Sequence, residues 1–243
     1  MMYEDDPTKC KRKSMGIVLK RRDNAPIVKD VFGGALDMLL DRKPVAEAAD
    51  FVKSMLTRIL KADVPIEKFV ITKQLRDDYK DRTKIAHRVL ADRMTKRDPG
   101  NAPNVGDRMQ FVYIKKQTQD KKVLQGDRIE DLQYVKDNKL LPDSEFYITN
   151  QIQNPVASLF ALCIEKMTGF KQPSTSYAEL YNTALERAKS ETVEEKEEEA
   201  TLWVLDQKEK QLDTLLFLGN SELKKIVVGN QRGPMDAFLK KKV

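Results

Sequence analysis

The residues best placed to do chemistry are three consecutive cations, Lys20, Arg21 and Arg22, which follow the short apolar stretch Met15-Gly16-Ile17-Val18-Leu19. Residues 15–22 have strand character, and a strand would hold the cations at a rigid edge. Adjacent fixed cations suit a phosphate backbone, because neutralising phosphates supplies most sequence-independent affinity for nucleic acid. A solvated basic turn is the plain alternative. Other reactive groupings are hard to find. Asp5-Asp6 and Asp77-Asp78 are the only adjacent aspartates, and neighbouring side chains on a helix or strand diverge. Both pairs therefore read as surface charge, not as a clamp for two metal ions. Cys10 and Cys163 lie far apart without a Cys-x-x-Cys partner, and His87 is the single histidine. Four zinc ligands cannot be assembled from that set at close spacing. His87 has no nucleophile near it in sequence and reads as a packed or surface helix residue. No catalytic residue and no metal ligand is expected.

Arg21-Arg22-Asp23-Asn24 resembles the end of the palm domain in family B DNA polymerases, where a Gly-hydrophobic-Arg-Arg-Asp strand approaches the primer. A longer block runs from Phe69-Val70-Ile71-Thr72-Lys73-Gln74-Leu75 through Ala86-His87 and Leu90-Ala91-Asp92-Arg93-Met94. It continues through Lys96-Arg97-Asp98-Pro99-Gly100-Asn101-Ala102-Pro103 to Gly106-Asp107-Arg108. That order and spacing is similar to the thumb of delta-type replicative polymerases, cellular or from large DNA viruses. Tyr147-Ile148, Gln151-Ile152 and Pro155-Val156 resemble the family's closing thumb helix. The palm motifs Asp-x-x-Ser-Leu-Tyr-Pro-Ser, Tyr-Gly-Asp-Thr-Asp-Ser and Lys-Lys-Arg-Tyr do not occur. The cysteine-rich metal modules that follow the thumb in cellular delta-type polymerases have no counterpart here.

The resemblance implies the end of a palm over 1–26, a thumb over 27–168, a helical extension over 169–229 and a tail over 230–243. It implies a chain that grips primer–template DNA and cannot synthesise DNA alone. Its Mg2+ would belong to a missing palm, with no cofactor bound here, and its partners would be DNA and the remaining polymerase domains. At positions matching the family pattern, Lys20, Arg21, Arg22, Thr72, Lys73, Arg93, Lys96, Arg97 and Arg108 form the expected DNA-contacting group. Each offers a charge or hydroxyl to phosphate, and none is asked to read a base, since a replicative thumb slides along any sequence. Arg97 could instead hold the turn at Asp98, and Arg108 could pair with Asp107 or a neighbouring strand.

The elements that must position this group are mainly helical, with a small β element near the start and another around residues 106–115, an α+β class. Ile27, Val28, Val31, Ala35, Met38 and Leu39 recur at helical spacing, with Gly33-Gly34 weakening that helix near its middle. A second helix spans about 45–61 and an extended element 66–75. A third helix, about 83–96, should bury Ile85, Val89, Leu90 and Met94 and turn Lys84, Arg88, Arg93 and Lys96 outward. Asp98 to Pro103 is a turn, Arg108 to Lys115 a strand, and 117–127 a mobile polar loop. Asp143 or Ser144 caps a long helix that Pro155 should kink or break. Residues 169–176 form a linker, and 177–217 favour helix, with the run Glu194 to Glu199 on a solvated face.

Of the chain's net +6, residues 1–116 hold 26 basic and 17 acidic groups (+9) and the remainder 18 and 21 (−3). Only the first half is then expected to face a polyanion. In the tail, Arg232, Met235, Phe238 and Leu239 have the i, i+3, i+6, i+7 spacing of a sliding-clamp-binding peptide, with Pro234 to pre-set its turn. Gln is usual at the first place and an aromatic at the last, so Arg232 and Leu239 depart from that motif. A helical adaptor that recruits a clamp or other partner without binding DNA is the alternative function. Free cysteines and the lack of a secretory signal or long apolar run suit an intracellular setting, nuclear or in a viral replication compartment, without a membrane.

Overall fold

The computed structural model describes residues 18–115, 124–189, 192–218, 221 and 223–225. Two compact units share the chain discontinuously: Met1–Gly33 with Val64–Ser144, and Gly34–Asp63 with Glu145–Val243. Each unit draws on two separated segments of the chain.

The first unit is built on a three-stranded antiparallel sheet of order β1 (Ile71–Gln74), β2 (Arg108–Tyr113) and β3 (Ile129–Asp131). Ile71 sits opposite Phe111, and both are buried. Arg108 opposes Gln74 at the end of the strand pair that the 75–107 connection joins. Helix α3 (Ala86–Arg97) supplies Leu90 and Ala91 to the core beside Phe69, Leu75, Met109 and Ile129. The short helix α4 (Leu132–Asp137) starts where Asp131 accepts hydrogen bonds from the Gln133 and Tyr134 amides, at 2.9 and 3.3 Å. The first half of α1 (Pro26–Leu40) brings Ile27, Val28 and Val31 into the same unit, all buried.

Several expectations change here. Residues 18–20 form a 3₁₀ turn and not a strand. The turn is closed locally: the Asn24 amide donates to the Val18 carbonyl at 3.3 Å, and Leu19 lies against Gly33. Residues 15–17 lie outside the described residues. The extended element expected over 66–75 is a 3₁₀ turn at Ile66–Phe69 followed by β1, since only residues after Val70 find a partner strand. Helix α3 begins at Ala86 because Asp81 caps a separate turn at Arg82–Lys84, accepting from the Thr83 amide at 3.1 Å. Arg88 and Arg93 do not point outward; their side chains are 20% and 24% exposed. Ile85, Val89 and Met94 are half-buried rather than core.

Gly126 explains how α3 fits. A Cβ there would lie 2.7 Å from Val89 Cβ, a contact with a branched side chain near the helix backbone that cannot rotate away. Gly126→Ala is expected to destabilise the chain by about 1–3 kcal/mol, read as a lower urea midpoint at unchanged m-value.

In the second unit, α2 (Val45–Leu60) buries Ala48, Val52, Leu56 and Ile59 along one stripe. Gly34 does not break α1; it admits the Phe51 ring, which would be 2.5 Å from an added Cβ. The helix at 144–161 is continuous. It runs as α5 (Ser144–Phe146), a π-helical segment (Tyr147–Ile152) and α6 (Gln153–Ala161). The π segment lies just before Pro155, whose ring crowds the preceding turn and whose missing N–H leaves a carbonyl without its helical partner, so the turn widens there and the helix does not break in two. Helices α7 (Tyr177–Arg187) and α8 (Val193–Leu212) each open with a capping box, Ser176 with Glu179 and Thr192 with Glu195. α8 joins α6 through Ser158 donating to Glu209 at 2.6 Å, while Gln153 donates to Asp213 at 3.0 Å. Glu194, Glu195 and Glu197 to Glu199 are solvent-facing, as their composition suggests. No helix among the described residues is long and apolar enough to cross a membrane.

Candidate nucleic-acid interface

In the first unit a cleft of about 430 Å³ opens at the end of β1. Four of the residues expected at phosphate meet there: Arg22, Thr72, Lys73 and Arg108. Thr72 and Lys73 alternate along β1, so they reach the cleft from the two sides of the strand. Arg108 enters from the paired end of β2, opposite Gln74. The expected pairing of Arg108 with Asp107 does not form, because Asp107 accepts from the Asn104 amide at 2.8 Å. Arg76 adds a fourth cation. The one carboxylate in the lining, Asp23, is held by Arg21 through two contacts, 3.1 Å from Nε and 2.9 Å from Nη2. The Arg21 hydrogen bond keeps the Asp23 carboxyl below its ordinary range, assisted by the charges of Arg21 and Lys73 against partial burial. Asp23 is thus a neutralised wall, and Arg22, Lys73, Arg76 and Arg108 form no ion pair with described residues. Lys20 and Lys96 are exposed and lie outside the cleft lining.

Arg93 and Arg97 are placed differently. Glu130, with a side chain only 7% exposed, takes Arg97 in a bidentate pair at 2.9 Å on both arms. The Arg97 guanidinium also lies over the Tyr134 ring, 3.8 Å from its centroid. That hydrogen-bonded carboxylate raises the Arg97 pKa. Arg93 Nε sits 3.3 Å from the same carboxylate, and its Nη2 donates to the carbonyls of Gly126 at 2.9 Å and Ile129 at 2.7 Å. These two guanidiniums bind α3 to β3 and are occupied. Nor does Arg97 hold the Asp98 turn; Asp98 accepts from the Gly100 amide and from Asn101 instead.

The cleft also contains residues that the sequence reading passed over, Arg76 and Tyr79, and gives His87 a defined place. The Tyr79 hydroxyl shares a 2.7 Å hydrogen bond with His87 Nε2, accepts from the Arg76 amide at 3.0 Å and lies 3.3 Å from the Gln74 carbonyl. His87 stacks on Phe111 with rings 4° from parallel, so α3 and β2 fix its plane. The loop between β1 and α3 is thereby pinned back over the cleft. The signal for this was the aromatic Tyr79 within the mixed-charge stretch Arg76-Asp77-Asp78-Tyr79-Lys80, which only the return of α3 turns into a wall.

Burial, and secondarily the Lys73 charge, hold the His87 pKa below the usual imidazole range, against a hydrogen bond to the Gln74 backbone. The folded chain then takes up this proton less readily than the unfolded chain. Stability from this group is full above the ordinary histidine value and falls as pH drops through it toward the lower folded value. A urea midpoint that falls between about pH 7.5 and about pH 5.5, with the fall reduced in His87→Gln, is the expected result.

Among the described residues no group of three or more His, Cys, Asp or Glu side chains could hold a metal ion. Arg232, Met235, Phe238 and Leu239 lie outside the described residues.

The model of "DNA polymerase family B" matches residues 1–163. The chain is 46% identical over 218 residues to the DNA polymerase of Pyramimonas orientalis virus, covering 89% of this chain and 17% of that protein. It is 46% identical over 168 residues to the DNA polymerase of Acanthamoeba polyphaga mimivirus, covering 68% of this chain and 10% of that protein. The DNA polymerase delta catalytic subunit of Schizosaccharomyces pombe is 38% identical over 151 residues, 62% of this chain and 13% of that subunit. The chain thus spans less than a fifth of the length of these relatives. With a family match over two thirds of its residues, and a mainly helical fold carrying a small antiparallel sheet, the chain belongs to DNA polymerase family B.

Proposed function

We propose that this chain is the thumb-containing part of a DNA-directed DNA polymerase and grips the backbone of primer–template duplex during replication. One observation carries the reading: four cations and the Thr72 hydroxyl line a cleft whose only carboxylate among the described residues is already paired. A duplex brings a closely spaced row of phosphates to such a surface, and release of its counterions drives the contact. The grip is assigned to the backbone without base readout, because a thumb that slides along any sequence needs phosphate contact and not base recognition. Thumb contacts at residues 27–168 would follow an end-of-palm segment at 1–26. Nucleotidyl transfer and its Mg2+ are assigned to polymerase parts outside this chain, since the cleft lining among the described residues offers the single carboxylate Asp23, which is paired with Arg21. The tail residues Arg232, Met235, Phe238 and Leu239 are proposed as a clamp-binding peptide on their spacing alone, in a nuclear or viral replication setting.

The test is equilibrium binding of fluorescent duplexes to the 243-residue chain. Duplexes of unrelated sequence should bind equally at low salt and weaken steeply as salt rises. A preference for one sequence, or binding indifferent to salt, would contradict the reading.

A further inference from the structure

The second unit carries a surface that the DNA reading does not use. An apolar groove of about 830 Å³ lies where the end of α1, the start of α2 and the end of α6 come together. Its apolar lining includes Leu36, Leu39 and Leu40 from α1 and Leu159 and Leu162 from the α6 end. None of these five leucines is buried; Leu40 is 48% exposed and Leu162 74%. Single exposed leucines are ordinary, but five around one concavity form a patch of the kind that marks a docking surface. The volume accommodates several leucine-sized side chains.

The polar part of the lining is of one sign. Arg42, Lys43 and Lys166 stand at the groove, and among the described residues no carboxylate lines it. Among the described residues none of the three forms an ion pair. Glu165, next in sequence to Lys166, is turned instead to Lys208 at 3.9 Å. Arg42 and Lys43 follow the C-terminus of α1, where cations complement the helix dipole, but that accounts for neither Lys166 nor the exposed leucines. We propose that this groove receives the leucine-bearing face of an acidic amphipathic helix from a partner protein. Apolar anchors would enter between α1 and α6 while flanking carboxylates meet the three cations.

The competing occupants fit less well. A phosphate backbone would satisfy the cations and leave the leucines in water. The chain's own end carries Lys240, Lys241 and Lys242, like in sign to the rim. A second copy docking groove to groove would oppose cations with cations. This inference does not rest on the duplex-gripping reading, and its residues are separate from the cleft of the first unit.

The probe is a fluorescein-labelled synthetic helix of about 18 residues, with leucines at i, i+3, i+4 and i+7 spacing and glutamates on its flanks. It is titrated with the full chain and followed by anisotropy. Saturable binding is expected, weakened roughly tenfold or more by Leu162→Asp and separately by the pair Lys43→Glu, Lys166→Glu. These positions are solvent-facing, so circular dichroism should match that of the unaltered chain. A control peptide with lysine for every glutamate should bind at least roughly tenfold more weakly. No binding, binding indifferent to Leu162→Asp, or equal affinity for the lysine peptide would overturn the proposal. So would displacement of the peptide by duplex DNA, or a concentration-dependent dimer of the chain that Leu162→Asp abolishes.

Discussion

Replacing Arg22, Lys73 and Arg108 together with alanine is expected to lower affinity for duplex DNA by roughly a hundredfold at low salt. Each removed cation forfeits a charge-assisted contact of about 1 kcal/mol at an exposed, screened surface, and three such losses reach that range. All three line one cleft, and none is engaged with a described carboxylate, so the loss falls on binding and not on the fold. Thermal unfolding of the triple variant should stay close to that of the unaltered chain, since surface substitutions of this kind shift stability by within about 0.5 kcal/mol. Arg21→Ala should behave differently from Arg22→Ala. It frees Asp23, restoring a carboxylate charge to the cleft wall, so part of any loss would come from repulsion by Asp23. Fluorescence anisotropy with a single duplex ranks these variants directly.

The second large effect lies at Glu130. Glu130→Ala leaves Arg97 and Arg93 without the carboxylate that both face and opens a gap between α3 and β3. Removing one partner of a buried ion pair costs about 3–5 kcal/mol when the remaining charge is sealed from water. Arg97 is about one-third exposed and can regain water, so a loss of roughly 2–4 kcal/mol is expected. For a chain of this size that corresponds to a fall in Tm of roughly 5–15 °C. Duplex binding by the fraction still folded should be little changed, because neither arginine lines the cleft. Lys96→Ala, one residue from Arg97 but exposed, serves as the control with little expected change.

These two results would separate cations that hold the fold from cations that are available to a ligand, a separation the sequence alone does not make. Arg93, Arg97 and Arg108 carry the same charge and fall in one ordered block of motifs. Their fates diverge through Glu130, whose strand β3 carries only three residues and almost no periodic signal. No element is legible in the sequence over residues 128–141, so the carboxylate that claims two arginines is invisible until β3 pairs with β2. Longer elements were legible for the opposite reason. Helix α2, expected over about 45–61, spans Val45–Leu60 and buries Ala48, Val52, Leu56 and Ile59 along one stripe. The strand expected at residues 15–22 fails where it can be seen, because Val18 and Leu19 are apolar without a strand partner and a side-chain bond from Asn24 closes a turn there. Glycines misled in a similar way. Gly34 lowers helix propensity locally, yet the space it leaves is filled by Phe51 from α2, which no local pattern reveals.

Convergence of Arg22, Thr72, Lys73 and Arg108 was anticipated only as membership of one group. Their common cleft depends on the Gln74–Arg108 register of the hairpin and on Tyr79 and His87 drawing the intervening loop back. The measurement that bears most directly on the phosphate grip is therefore the slope of log affinity against log salt for duplex DNA. It should be determined for the unaltered chain and for the Arg22→Ala, Lys73→Ala, Arg108→Ala combination. If those side chains neutralise phosphates, the combined variant should show a slope shallower by about three, close to one for each cation removed. Two parallel lines would mean that the cleft cations do not meet the DNA backbone.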